Sequence, residues 1–488
     1  MDFSELTQVH PVKKGDQPIT SLPKRVIQKL WLAVAALSRA VKRPLVMASG
    51  AFKNGDFSTR LSFFIMGSGS FLKGQFVKGL LYFLLQIAYI AYMAFFGLGY
   101  LKDIGTLGTV TQNKVFDETE GIYVYTPGDN SMKILLFSVL SVVLTFLFLG
   151  LYFLNIRSAY TAQKRKEEGK PLPSFREDIR SLFDKRYHIT LLTPPILLVA
   201  AFTLLPLIFM VLIAFTNFDK THQPPGNLFT WVGFENFKNM FGGNLSLGHT
   251  LLNLFIWTLI WAVFATFTNY LFGMILALMI NKNGIRFKRF WRTVFILTIA
   301  VPQFVSLMLM SQLLADEGAV NVLLRELGLQ AVPFLTNGML AKITVIVVNM
   351  WVGIPYTMLI TSGILMNIPA DMYESAKIDG AGPVKTFFKI TFPYMLFVTT
   401  PYLITQFVNN INNFNVIYLL TRGGPLTLEY YRAGKTDLLV TWLYKQTVEE
   451  QNYSLAGVIG VIVFIITATF SLMIYNSSSS SKKEEEFQ

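Results

Sequence analysis

The 488-residue chain contains no cysteine, which excludes disulfides, thiol nucleophiles and Cys-ligated metals. Histidine is almost as scarce: His10, His188, His222 and His249 are the full set, and all four fall in expected loops or at the ends of apolar runs. A zinc site or an intramembrane proton relay would need such side chains gathered in the interior. No Gly-rich phosphate loop ending in Gly-Lys-Ser/Thr occurs, and no Ser/His/Asp or paired-carboxylate arrangement stands out. The chain is therefore expected to carry no ATPase or other enzymatic site and to bind no cofactor itself. Charge is thin too: Asp, Glu, Lys and Arg make up 15% of the residues, against about 25% in ordinary soluble domains.

What is abundant is apolar. Hydrophobic residues reach 52%, with 43 phenylalanines, more than a soluble core could hide without leaving large exposed patches. The expected class is an all-α polytopic membrane protein. A net charge of +13 suggests nucleic acid as a partner, but the basic residues sit in short blocks between apolar spans, which argues against it. Eight transmembrane helices are expected near 77–101, 132–156, 190–216, 250–280, 291–315, 341–366, 394–420 and 453–475. The fourth is long enough to require tilt or to extend past the bilayer.

Before them, 1–76 holds no run long enough to span, and its polar first twenty residues are not a cleavable signal. Val26, Ile27, Leu30, Trp31, Val34 and Leu37 share one face of a basic amphipathic helix over Val26–Val41. It either lies on the inner leaflet or packs on the protein's own cytoplasmic side. A second amphipathic piece, Leu61–Phe76, is interrupted by Gly67-Ser-Gly-Ser70. The Ser-rich, charged tail over 476–488 is expected to be disordered and cytoplasmic.

Lys/Arg bias orients the spans. The loop 157–189 is rich in Lys and Arg, and 281–290 carries Lys282, Arg286, Lys288 and Arg289 with no acid. The loop 102–131 instead holds Asp103, Asp117, Glu118, Glu120 and Asp129 against two lysines. Both termini are thus expected inside, and the loop after the sixth span in the cytoplasm.

Two polar constellations interrupt this apolar background. In span 7, Gln406, Asn409, Asn410 and Asn413 recur at i, i+3, i+4, i+7 and share a helix face. Uncharged amides offer donors and an acceptor together, which suits a neutral polyhydroxylated ligand. The alternative is interhelical hydrogen bonding alone. By the same periodicity Asn412 and Asn415 point elsewhere. Span 6 supplies Asn349, Gly353 and Tyr356 at i, i+4, i+7, with Trp351 nearby, and Gly353 with Pro355 is expected to loosen the helix so that it bends around a cavity. An aromatic ring beside amides is a common way to hold a pyranose.

The second constellation is the polar island Asp371–Pro393 between two apolar runs. Asn367-Ile-Pro-Ala-Asp371 begins a helix, Gly380 and Gly382-Pro383 end it, and a second short helix is expected to run to about Ile390. Glu374, Ala376, Asp379, Gly380, Ala381, Ile390 and Pro393 are spaced as E-x-A-x-x-D-G-A, nine residues, then I-x-x-P. This spacing resembles the cytoplasmic coupling loop of ABC-importer permeases. The resemblance implies that the loop docks on an ATPase subunit, with Glu374, Ser375, Ala376, Asp379, Gly380, Ala381, Ile390 and Pro393 as the coupling residues. The alternative for Glu374 is that it caps its own helix.

The stretches VNMWVGIPYTMLITSGILMNIPADMYESAKIDGAGPVKTFFKITFP and NNINNFNVIYLLTRGGP resemble the maltose/maltodextrin permease subunits of the MalF type. That resemblance, seen over roughly 190–475, implies sugar contacts at Asn349, Val352, Gly353, Tyr356, Gln406, Asn409, Asn410, Asn413 and Asn415. Gln406, Asn409 and Asn415 depart from the enterobacterial pattern toward polarity, and no large extracytoplasmic domain is present in the loop Asn217–His249. The implied organisation is a cytoplasmic or interfacial segment at 1–76, two N-terminal spans with a basic loop at 77–189, a six-span type I permease core at 190–475 with its coupling loop at 371–393, and the tail at 476–488. The implied partners are a second homologous permease, a dimer of ATPase subunits that holds the ATP and Mg, an extracytoplasmic sugar-binding protein, the oligosaccharide and membrane lipid. The short loops suggest a Gram-positive plasma membrane. An ion-gradient-driven secondary sugar transporter is the main alternative, but no Asp, Glu or His lies inside the eight spans. A membrane scaffold would leave the amide stripe without a purpose.

Overall fold

The structure, a computed structural model, describes Ser38 and residues 42–243, 245–282 and 284–477. The basic helix expected over Val26–Val41 and the tail after Ser477 lie outside the described residues. In chain order the helices are α1 (42–54), α2 (Phe57–Leu61), α3 (Ser68–Phe71), α4 (Phe76–Asp103), α5 (Ser131–Glu167), α6 (Phe175–Phe183), α7 (Tyr187–Ile213) and α8 (Leu245–Asn281). They continue as α9 (Lys288–Ala300), α10 (Gln303–Leu313), α11 (Ala319–Glu326), α12 (Gly338–Leu365), α13 (Ala370–Ile378), α14 (Pro383–Ile411), α15 (Phe414–Thr421), α16 (Leu439–Tyr444) and α17 (Tyr453–Ser477). A two-stranded antiparallel hairpin, β1 (Lys114–Asp117) and β2 (Ile122–Tyr125), sits in the acidic loop between α4 and α5.

Seven of these helices are long and apolar enough to cross a membrane, and the pair α9–α10 makes an eighth broken span. This is an all-α polytopic membrane fold. At 1.5 Å per residue the 37-residue α5 and α8 are each about 55 Å long, well beyond an apolar slab of about 30 Å. The expected helix over 291–315 is not straight: α9 and α10 meet at 86°. Pro302 forces Val301 into an extended conformation and then opens α10 as its N-cap. The expected span 394–420 is also two pieces, because α14 stops at Ile411 and α15 starts at Phe414.

Packing divides the chain into two units, Met1–Lys102 with Phe137–Ala200 and Asp103–Leu136 with Ala201–Gln488. In the first, the 61–76 segment packs onto α4 and α5. Asn155 is fully buried, accepting from the Gly67 amide at 2.9 Å and donating to the Ser62 carbonyl at 3.1 Å. Gly67 tolerates no side chain, since a Cβ there would lie 1.9 Å from the Gly79 carbonyl oxygen.

The second unit is built along α8. Trp257, Trp261, Val345, Leu307, Val416 and Ile417 form one buried cluster, and Tyr270, Met274, Ile368 and Met395 another farther along. Two indoles do more than fill space: Trp261 Nε1 donates to the Asn410 carbonyl and Trp257 Nε1 to the Thr436 carbonyl, both at 3.1 Å. The first adds a second donor to a carbonyl at the end of α14 that also accepts from the Asn413 amide at 3.3 Å. At the opposite end of α8, Arg292 of α9 donates to Asn281 Oδ1, and Asn281 Nδ2 donates to Ser362 Oγ at 3.2 Å, tying α8, α9 and α12 together.

Candidate functional site

Both helix breaks open onto one cavity of about 670 Å³ in the second unit. Ligand sites run from about 300 to 1,000 Å³. The α9–α10 break presents Thr298, Ile299, Val301, Pro302, Gln303 and Ser306 to it; the α14–α15 break presents Asn412, Asn413, Phe414 and Asn415. In a membrane, non-helical backbone is tolerated where it is buried in protein or lines a water-filled cavity, because amides freed from the helix need other partners. Among the described residues no Asp, Glu, Lys, Arg or His lines it.

All nine residues implied as sugar contacts line this cavity: Asn349, Val352, Gly353 and Tyr356 from α12, and Gln406, Asn409, Asn410, Asn413 and Asn415 from α14 and the break after it. The geometry differs from a single helical stripe. Asn413 lies past the end of α14, where its Oδ1 caps α15 by accepting from the Val416 amide at 3.2 Å and its Nδ2 reaches Asn410 Oδ1 at 3.2 Å. Asn412 and Asn415, set aside by periodicity, line the same cavity because the helix is broken between Ile411 and Phe414, where Asn413 is extended, and the helical spacing no longer applies. The α12 helix also runs unbroken through Gly353 and Pro355 rather than opening there. Gly353 instead allows a close approach: a Cβ would lie 2.1 Å from Asn269 Nδ2.

The amides fall into two sets. Asn410 is 8% exposed and already committed, donating to Thr266 Oγ1 at 3.0 Å and accepting from Asn413. These two residues hold the break against α8. The side chains of Gln406, Asn409 and Asn415 make no hydrogen bond among the described residues and are free to meet a ligand. Tyr356 is 50% exposed on the cavity wall, its ring tilted at 41° to that of Tyr402 with 6.5 Å between centroids. Sequence reasoning missed Asn269, Gln303, Ser306 and Phe414. The one signal available for Asn269 was an amide in the middle of a long apolar helix, far from Asn253 and Asn281 nearer its ends.

The segment expected from the resemblance to couple to an ATPase lies at the far ends of the two helices that carry these amides. Glu374, Ser375 and Ala376 are on α13, and Asp379 to Ala381 form the turn after it. Gly380 adopts φ +71°, its amide bonded to the Lys377 carbonyl at 3.0 Å and the Ala381 amide to the Ala376 carbonyl at 2.8 Å, a left-handed helix stop. Ala376 is buried, while Glu374 is exposed and makes no hydrogen bond or ion pair among the described residues. The capping alternative for Glu374 has no bond behind it: Pro369 is the N-cap, with no side-chain cap.

The second short helix does not exist as a separate piece. The chain runs from Pro383 through a π turn, Phe387–Thr391, into α14, so Ile390 sits inside that turn and Pro393 inside the continuous helix. The wider turn absorbs the amide that proline lacks. A second hollow of about 880 Å³ lies beside this segment, lined by Lys282, Lys377, Val384, Phe387 and Phe388 among others.

Against known proteins, the family model for the binding-protein-dependent transport system inner membrane component matches residues 269–480. The galactooligosaccharides transport system permease protein GanP of Bacillus subtilis is 35% identical over 348 residues, 71% of this chain and 83% of that protein. The maltodextrin transport system permease protein MdxF of the same organism is 33% identical over 418 residues, 83% of this chain and 92% of the relative. That alignment is longer than the chain from residue 190 to its end, so the likeness is not confined to 190–475. The bacterial alginate ABC transporter solved in complex with an alginate pentasaccharide-bound periplasmic protein shares the fold over 62% of this chain and 98% of its own, with TM-score 0.51 and 22% identity. The chain belongs to the binding-protein-dependent transport system inner membrane components, the multi-pass permease subunits of ABC importers.

Proposed function

We propose that this permease carries a neutral oligosaccharide of the maltodextrin type through the amide-lined cavity. The observation that carries this reading is the cavity itself, where two broken helices, uncharged amides and Tyr356 converge and where Gln406, Asn409 and Asn415 have no partner of their own. Amides match hydroxyls as both donors and acceptors, and Tyr356 offers a face for the C–H surface of a pyranose. The relative named for maltodextrin transport matches over most of both chains. The relatives named above are permeases of binding-protein-dependent or maltodextrin and galactooligosaccharide transport systems, which gives an ion-driven transporter no support.

In this reading the chain forms half of a pathway with a second, homologous permease. It docks through α13 on a pair of ATPase subunits and receives sugar from an extracytoplasmic binding protein. ATP and Mg belong to the ATPase, and this chain hydrolyses nothing. Both termini face the cytoplasm of a Gram-positive cell, by the Lys/Arg bias and the Bacillus relatives. Mechanically, ATPase closure moves α13. Because α14 is continuous from Pro383 to Ile411, the push reaches Gln406 and Asn409 as a rigid-body motion.

The test is uptake of labelled maltotriose into proteoliposomes holding the complete complex. Gln406→Ala with Asn409→Ala is expected to slow uptake about tenfold or more, two hydrogen bonds of about 0.5–1.5 kcal/mol each, while the complex still co-purifies. Unchanged uptake removes the cavity from the pathway. The 35% identity to a galactooligosaccharides permease favours a second reading, a galactose-containing oligosaccharide. Competition of labelled maltotriose by unlabelled galactobiose separates the two.

A further inference from the structure

Asn269 belongs to α8, a helix that neither the amide stripe nor the coupling segment touches in sequence. Its carboxamide oxygen is buried without a hydrogen-bond partner, and so is the carboxamide nitrogen of Asn349, a residue only 5% exposed. Both side chains line the 670 Å³ cavity. Asn349 and Gly353 are one turn apart on the same face of α12, and the Asn269 amide lies directly against Gly353. An unpaired acceptor and an unpaired donor are thus held within one helical turn of each other on the cavity wall. Asn269 also lines a small chamber of about 50 Å³ with Tyr270, Tyr402 and Thr357, room for water and nothing larger. It therefore marks the inner limit of the space open to a ligand.

A purely structural amide would have both polar atoms paired within the protein, as Asn410 does: its nitrogen donates to Thr266 Oγ1 of α8 and its oxygen accepts from Asn413 Nδ2. Asn269 has no such bond. We infer that Asn269 is a specificity-determining contact from a third helix, pairing with Asn349 to hold two adjacent hydroxyls of the sugar. One hydroxyl donates to Asn269 Oδ1 and its neighbour accepts from Asn349 Nδ2. A vicinal diol matches this acceptor–donor pair. The inference rests on the oligosaccharide reading of the same cavity.

The experiment is a cycle of transport rates in the reconstituted complex, wild type and Asn269→Ala, with maltotriose and its set of monodeoxy analogues. Preferences of the sugar-binding protein are common to both permeases and cancel. Asn269→Ala is expected to slow maltotriose about five- to tenfold, within the range for one lost hydrogen bond. At least one monodeoxy analogue is slowed by a similar factor in the wild type and by no further factor in the variant. Asn269→Ala slowing every sugar alike, with all analogue ratios unchanged, means a packing role and overturns the inference, as does a variant with wild-type rates. In both cases the oligosaccharide reading stands if Gln406→Ala with Asn409→Ala still slows uptake. Absence of maltotriose uptake in the wild type overturns both.

Discussion

Glu374→Lys is expected to abolish ATP-driven uptake, by about a hundredfold or more, while leaving the permease inserted and folded. Glu374 is exposed on α13 and bonded to nothing among the described residues, so the fold loses little by its reversal. If a cation on the ATPase subunit takes this carboxylate, reversal removes a charge pair and adds repulsion, together about 2–5 kcal/mol. At 1.4 kcal/mol per factor of ten, the middle of that range exceeds a hundredfold. The measurement is ATPase co-purification beside uptake. Full uptake by the reversed variant would sink the docking role of α13. Gly380 gives a second handle: at φ +71° with open space around it, it excludes valine by backbone conformation and admits asparagine. Gly380→Val should therefore lose coupling where Gly380→Asn retains most of it.

Lys445→Met is expected to cost about 3–5 kcal/mol of stability, the penalty for leaving a buried charge unpaired. The partner is Asp437, whose side chain is fully buried and receives the Lys445 ammonium at 2.6 Å, the Gly434 amide at 2.7 Å and the Thr441 hydroxyl at 2.9 Å. Burial pushes the Asp437 carboxyl up, and these donors pull against it. The same carboxylate fills the space beside Gly423, where a Cβ would lie 1.8 Å from Asp437 Oδ1. The pair thus pins the connection between α15 and α17, which holds the buried α16 with Trp442 rather than a free loop. Thermal unfolding of the purified complex measures it. Asp437→Asn combined with Lys445→Met should recover much of the loss; a single Lys445→Met variant as stable as wild type would mean that Asp437 is neutral in the fold.

Much of this was legible in the residues. Apolar run length marks each crossing, because a bilayer forces about twenty apolar residues into one helix. The four amides among the apolar residues of span 7 stood out for the same reason. The turn at Gly380 was readable from the need for a left-handed conformation there. Less legible was where helices stop. Pro302 signalled a kink, but the 86° angle depends on how α10 packs against α15, through contacts such as Ser311 Oγ to the Leu420 carbonyl at 2.7 Å. Nothing in NNINNFN tells that the helix ends at Ile411, since Asn413 reads equally well as a stripe residue and as a cap.

The sequence by itself determined the membrane class and the apolar runs that cross it, and it singled out the amides Gln406, Asn409, Asn410 and Asn413 and the polar island 371–393 between two apolar runs, because hydropathy and local backbone preference are properties of short stretches. Only the tertiary structure decided which amides are free. Asn410 and Asn413 spend their hydrogen bonds on Thr266, on each other and on the start of α15, whereas Gln406, Asn409 and Asn415 face the cavity unpaired. It also brought Asn269 against Gly353 from a helix some eighty residues away in the chain. A hydrogen bond is spent or spare only with respect to what lies across the helix interface, and that neighbour is chosen by packing.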